Sequence, residues 1–210
     1  MRNNENNGDG SISSGKGKNQ KVKKLIKNRT VPMFYDRLYK HFGAQHWWPA
    51  DSVFEVIVGA ILTQNTSWSN VERAISALKQ KKLLNAKRLY RLAPKKLAGL
   101  IRSAGYYNLK AGRIKNFLEF FFAAYAGRIK SMAAQDLMSL RAQLLAVNGI
   151  GPETADSILL YALRKPIFVV DAYTKRIFFR HRIIKEETDY FQAQDLFMRN
   201  LKPDAKLFGE

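Results

Sequence analysis

Cysteine is absent from the 210 residues. That removes disulfides, thiolate nucleophiles, cysteine-held zinc and iron–sulfur clusters together. Histidine is scarce: His41, His46 and His181 show no metal-ligand spacing, so neither a metal nor a cofactor is expected. No apolar run approaches the ~18 residues of a membrane span. The N-terminus lacks a signal peptide's apolar core, so the expected setting is cytoplasmic, with no membrane partner. Acidic residues are few: 17 Asp and Glu face 36 Lys and Arg, a net charge of +19. That excess is larger than solubility requires and points to a polyanion partner. A ribosome-type or membrane-surface protein would share it, and composition alone does not separate these.

What is present is a core. Hydrophobic residues make up 46% of the chain, enough to exclude wholesale disorder. Residues 1–29 are the exception. They are Asn, Gly, Ser and Lys with eight basic against two acidic side chains, which reads as a disordered basic tail. Such a tail adds non-specific, salt-sensitive affinity for DNA, or serves solubility alone.

Beyond it the apolar spacing is helical. Phe34, Leu38 and Phe42 recur every four residues behind Pro32, predicting a first helix over Val31–Phe42. Trp47-Trp48-Pro49 breaks the pattern. Adjacent tryptophans diverge by about 100° on a helix. Either one is buried while the other lines a cavity that stacks an extruded base, or both anchor the core. Asp51 is placed to cap an apolar helix over Ser52–Leu62, with Glu55 near its positive end. Thr63-Gln64-Asn65-Thr66 follows, and Ser67 or Ser69 opens the next helix. Lys79–Lys82 reads as a solvated cap. Helices are predicted over Ala86–Leu92, Pro94–Ser103, Tyr107 or Asn108 to Tyr125, and Met132–Ala146. No strand-like alternation persists, and Ile167–Val170 is too short for a sheet. The fold class is all-α, with roughly nine or ten helices.

The organising stretch is Leu144–Arg176. Gly149-Ile150-Gly151 joins two helical segments by a turn that needs glycine's freedom at positive φ. Val147 and Ile150 lock its underside. Asn148, Gly149, Gly151 and Thr154 are the expected DNA-binding positions, where backbone amides face a phosphate at a helix start. Pro152 fits the first helical turn. Asp171 follows a short apolar run and precedes another helix. On these residues alone, the hairpin supports DNA binding and Asp171 reads as an N-cap.

From about Trp48 to Lys202 the chain resembles the helix-hairpin-helix DNA glycosylases of the endonuclease III superfamily. The resemblance is carried by Leu62-Thr63-Gln64, Gly105-Tyr106-Tyr107-Asn108-x-Lys110-Ala111, Leu145-x-x-Val147-x-Gly149-Ile150-Gly151 and Val170-Asp171. Trp47-Trp48-Pro49 and Leu62–Thr66 look most like the bacterial 3-methyladenine DNA glycosylases, the branch without an iron–sulfur cluster. The resemblance implies several things. Two helical subdomains, 51–164 with the hairpin and 30–50 with 165–210, flank a DNA-binding cleft. Asp171 is the catalytic carboxylate, Gln64 fills the gap left by an extruded base, and Trp47, Trp48 and Pro49 form the base pocket. A monomer would act on double-stranded DNA containing damaged bases, releasing alkylated purines such as 3-methyladenine.

Two departures matter. Bifunctional members carry a lysine two residues after the last hairpin glycine, which attacks the sugar. Here that position is Glu153, and no imine forms on a carboxylate, so a monofunctional hydrolase is expected; Lys110 or Lys165 would substitute only with rebuilt geometry. The resemblance also implies a further helix after Leu201–Phe208, while the chain stops at Glu210, which reads as C-terminal truncation. The alternatives carried forward are a non-catalytic DNA-binding module, a bifunctional lyase, and a glycosylase for mismatched or oxidised bases.

Overall fold

The computed structural model describes residues 30–45 and 47–210; the basic tail 1–29 and His46 lie outside the described residues. Two units are distinguished, residues 1–43 and 44–210. In the first, helix α1 spans 30–42. The periodicity located this helix, but Leu38 and Phe42 of its apolar stripe are exposed.

The second unit is built around α2 (Val53–Leu62), which buries every residue from Phe54 to Leu62. A helix apolar on all sides belongs at the centre of a bundle. Its cap is Ser52, one residue later than expected, because the Ser52 Oγ accepts the Glu55 backbone N–H at 3.2 Å. The Glu55 carboxylate accepts the Asp51 N–H in turn. Lys79 is not merely solvated: its ammonium reaches Asp51 at 2.8 Å and Glu55 at 2.6 Å, neutralising the buried Glu55.

Around α2 lie α3 (Trp68–Gln80), α4 (Ala86–Arg91), α5 (Pro94–Leu100) and a 3-10 turn at Arg102–Ala104. The long α6 (Tyr107–Tyr125) buries Ile114, Phe117, Leu118 and Phe121 on one face. The fully buried Lys110 of α6 ties three elements together. Its ammonium donates to the Leu62 carbonyl at 2.9 Å and the Ala104 carbonyl at 2.6 Å, ending α2 and the 3-10 turn. Burial, and then the nearby Arg113 charge, lower its pKa.

The helix expected over Met132–Ala146 is two, α7 (Ile129–Ala133) and α8 (Leu137–Leu145). Asp136 separates them, its carboxylate accepting the Met138 and Ser139 N–H groups, both at 3.0 Å. A short acidic side chain that bonds the backbone ahead of it starts a new helix more readily than it continues one. After the hairpin, α9 (Pro152–Ser157) widens into a π-helical turn at Ile158–Ala162. Then come α10 (Ala172–Arg180), α11 (Tyr190–Asn200) and α12 (Ala205–Phe208). The described residues contain no strand, so the all-α class holds.

A buried polar node fixes the hairpin helices to α11. Arg141 of α8 grips Asp156 of α9 with Nε at 2.7 Å and Nη2 at 2.9 Å. The Tyr190 hydroxyl donates to the same carboxylate at 2.8 Å, and Gln194 does so at 2.7 Å. Asp156 is wholly buried, yet its carboxylate accepts four hydrogen bonds, two of them from its ion-pair partner Arg141, which is what makes a buried charge tolerable. Beside it Phe168 stacks on Phe197 with ring centroids 4.0 Å apart.

Candidate active site

The hairpin turn is shaped by what lies under and over it. Val147 and Ile150 are buried beneath it, and the Ile150 N–H closes it onto the Val147 carbonyl at 3.0 Å. Gly149 has φ +91, and a Cβ there would sit 2.3 Å from Cγ of Arg113. Both facts restrict the position to glycine. Asn116 of α6 donates to the Asn148 carbonyl at 3.0 Å.

Gln64, just past α2, reaches across to the same turn. Its Nε2 donates to the Gly149 carbonyl at 3.1 Å and to the Thr154 hydroxyl at 2.8 Å, and its Oε1 accepts from Nη1 of Arg113. Thr154 is buried, its hydroxyl occupied by Gln64. Asn148 and Gly151 are exposed and Gly149 half-exposed.

Across from the hairpin stands Asp171. Val170 and Ile167 bury their side chains ahead of it. The carboxylate then caps α10, with Oδ1 accepting the Thr174 N–H at 2.7 Å. No hydrogen bond to its other oxygen occurs among the described residues. Asp171 is half-buried and lines a cleft of about 1040 Å³ together with Gln64, Asn148, Gly149, Gly151, Thr154, Trp47 and Trp48.

Pro49 is not in that cleft. It lines an adjoining cavity of about 380 Å³, which also borders Trp48, Trp68, Asp51, Glu55, Glu72 and Lys79. Both tryptophans line the cleft, and neither is a fully buried core anchor. Trp47 is exposed, whereas Trp48 is half-buried. Trp48 lies edge-on to Trp68 at 5.6 Å and tilted against Tyr161 at 5.0 Å. Its indole lies so close to Gly59 that a Cβ there would be 3.3 Å from the ring.

Several cleft residues were given no place in the cleft by the sequence reading. Trp68 drew no reading between Ser67 and Ser69, the candidate helix openers, though a third tryptophan so soon after a polar run was a usable signal. Tyr161 hides in an apolar run, and the π-helical turn brings it into the cleft; such turns recur at functional sites. Arg113 belongs to the Lys110 helix and carries no motif of its own. Glu153 was read as a missing lysine, and its relation to Asp171 is tertiary. Burial, then the Asp171 charge, hold the Glu153 carboxyl above its ordinary value. Burial, Asp171 and Glu153 likewise push the Tyr161 hydroxyl up, so it stays protonated. Lys110 and Lys165 are outside the cleft lining; Lys165 donates to the Gln135 carbonyl at 2.6 Å.

A carboxylate with one oxygen unpartnered among the described residues, in one cleft with aromatic rings and a glycine turn, can hold a positive charge that develops on a ring flanked by a phosphate. Residues 58–203 match the HhH-GPD superfamily of base excision DNA repair proteins. A Methanocaldococcus jannaschii protein provisionally named a DNA repair glycosylase is 51% identical over 191 residues, covering 88% of this chain and 86% of the relative. Endonuclease III of Thermotoga maritima is 30% identical over 139 residues, covering 64% of this chain and 59% of the relative. Among solved structures, the H. pylori 3-methyladenine DNA glycosylase bound to 1,N6-ethenoadenine is similar with a TM-score of 0.73 and 27% identity, over 86% of this chain and 91% of that one.

Proposed function

The chain belongs to the HhH-GPD superfamily and is a DNA glycosylase of base excision repair, and from that premise we propose that it is a monofunctional hydrolase releasing alkylated purines such as 3-methyladenine. The observation that carries the reading is a single cleft in which Asp171, the glycine turn and the wall of Trp48, Trp68 and Tyr161 meet. Support for the substrate class comes from the 3-methyladenine glycosylase that this chain resembles and from the aromatic wall, since a cationic alkylated base is attracted by ring quadrupoles.

In this reading the basic surface captures duplex DNA and the turn amides hold a phosphate near the lesion. The damaged base is extruded and stacks on the tryptophans. The bond between the sugar C1′ and the base nitrogen breaks, and its electron pair leaves with the base. Because the alkylated base is already cationic, it departs neutral. Positive charge grows on the sugar, and the Asp171 carboxylate stabilises it. A water oxygen then bonds C1′ and gives up a proton, for which the free Asp171 oxygen is a suitable acceptor. The Thr174 N–H and the start of α10 help keep that carboxylate ionised.

Glu153 supports the monofunctional assignment, since it stands where a sugar-attacking lysine would be needed. Lys110 supports it too, because its ammonium is committed to two carbonyls. The cleft is built by one chain, and we assign the active form as a monomer, to be checked by its native mass with and without DNA. The deciding experiment is base release from alkylated, oxidised and mismatched duplexes by the wild type and Asp171→Asn. Release confined to alkylated purines, and lost in the variant, is expected. Wild-type turnover by Asp171→Asn, or preference for another lesion, overturns the reading. Borohydride reduction during turnover is expected to trap no covalent adduct.

A further inference from the structure

We infer that the outer face of α4 and α5 is a second DNA-binding surface, which holds a separate duplex segment while the cleft holds the first. The inference rests on the chain being a DNA glycosylase and not on which base it releases.

From Arg73 to Leu118 the chain carries 13 Lys and Arg and no Asp or Glu. Lys82, Lys87, Arg88, Arg91, Lys95 and Lys96 fall on or beside the two short helices, and all of them are exposed. Of α4 only Leu89 is buried, and of α5 only Leu97 and Ala98. None of these cations belongs to an ion pair among the described residues, and none lines the cleft. Their placement works against the helices that carry them. Lys87 and Arg88 lie in the first turn of α4, Lys95 and Lys96 in that of α5, and neither turn holds an acidic residue. The first turn is the positive end of a helix, where a cation is unfavourable. A polyanion laid across the face relieves both that cost and the mutual repulsion of the cations.

The face is held firmly, and on the side of α6 away from the cleft. Lys115 of α6 donates to the Leu89, Tyr90 and Leu92 carbonyls at the end of α4, and its ammonium lies 5.3 Å from the centre of the Tyr90 ring. Arg113, two residues earlier, covers Gly149 and bonds Gln64 on the cleft side. Two residues turn a helix by about 200°, so the end of α4 and the hairpin flank α6 on opposite sides. The width of a helix with its side chains, about 10–12 Å, separates them. That exceeds the Debye length of about 8 Å at physiological salt, so phosphates held at the hairpin leave these cations largely uncompensated. Cations spread along two helices match a row of phosphates, and the Arg91 guanidinium offers a fork suited to phosphate oxygens. A protein that grips two segments at once can pass between them without entering solution.

The test is the dissociation of a short, labelled, undamaged duplex chased with rising concentrations of unlabelled duplex. A protein with one DNA site releases its duplex at a rate that ignores the competitor. Here the rate is expected to rise with competitor concentration, because the second duplex binds before the first leaves. Lys87→Gln, Arg91→Gln, Lys95→Gln and Lys96→Gln combined is expected to lower that competitor-dependent rate by about tenfold, with the thermal midpoint and the base release from a single short duplex retained. Arg88 is left in place because its guanidinium bonds the Lys82 carbonyl. A second variant, with the eight basic residues of 1–29 replaced by glutamine, is expected to keep the dependence. A wild-type rate indifferent to competitor overturns the inference and leaves an acidic protein as the partner class this face suits. Full dependence in the four-residue variant, or its loss in the tail variant, overturns it as well. The duplexes are undamaged. Failure to release alkylated purines would therefore sink the substrate reading and leave this result standing.

Discussion

On the proposed reading Asp171 serves two ends. As an N-cap it uses a single oxygen, and the residue also lines the cleft. Asp171→Asn keeps an acceptor for the Thr174 N–H but loses the charge. Base release is expected to fall by about 10²- to 10⁴-fold, read in single-turnover assays, with the fold intact by circular dichroism. Glu153 behaves differently. Its carboxyl titrates above the ordinary range because burial and the Asp171 charge disfavour the anion. A folded-state value above the unfolded one means stability is greatest below the ordinary carboxylate range and declines as pH rises through the folded-state value. Glu153→Gln is therefore expected to raise the thermal midpoint at pH 7 by at most about 1 °C, a small effect because Glu153 is exposed and solvent screens its charge. The difference should vanish in acid, and a variant less stable than wild type at pH 7 would contradict the sign.

At the scale of elements, the hairpin is held by α6 as much as by its own helices. Arg113 covers Gly149, Asn116 bonds the Asn148 carbonyl, and Lys110 ends α2 where Gln64 begins its reach. Gly149→Ala forces positive φ on alanine and drives a methyl into the Arg113 stem. A loss of about 1–3 kcal/mol is expected in urea unfolding, with weaker duplex binding because the turn must shift. Lys110→Met fills much of the same volume but leaves two buried carbonyls unpaired, costing roughly 2–4 kcal/mol. Denaturant midpoints for both variants check this. The split of the expected helix over Met132–Ala146 belongs to this scale too: its apolar spacing runs on, and a single aspartate decides where the backbone turns.

Over the whole molecule, charge sets the encounter. With +19 on the chain, affinity for undamaged duplex is expected to fall steeply with salt, each phosphate contact contributing about −0.9 to the logarithmic slope. Eight basic residues lie within 1–29. Replacing them with glutamine is expected to flatten that slope by several units while base release at low salt is retained; an unchanged slope would exclude the tail from DNA contact. Specificity is a separate matter. On the proposed reading it resides in the cleft, where Trp48, Trp68 and Tyr161 are brought together from separate elements.

That distance explains what could be read from the order of residues and what could not. Local chemistry is written in the sequence. Apolar spacing located the helices, the Gly149-Ile150-Gly151 turn was legible from glycine's backbone freedom, and the lack of cysteine excluded thiolate chemistry and cysteine-held metals before any coordinates. Companionship in space is not written there. That Gln64 braces Gly149 and Thr154, that Glu153 feels Asp171, and that Pro49 faces a different cavity from Trp47 were settled only by packing. Hydrogen bonds and Coulomb forces act over a few ångströms, and those distances exist only after residues far apart in the chain have been folded side by side.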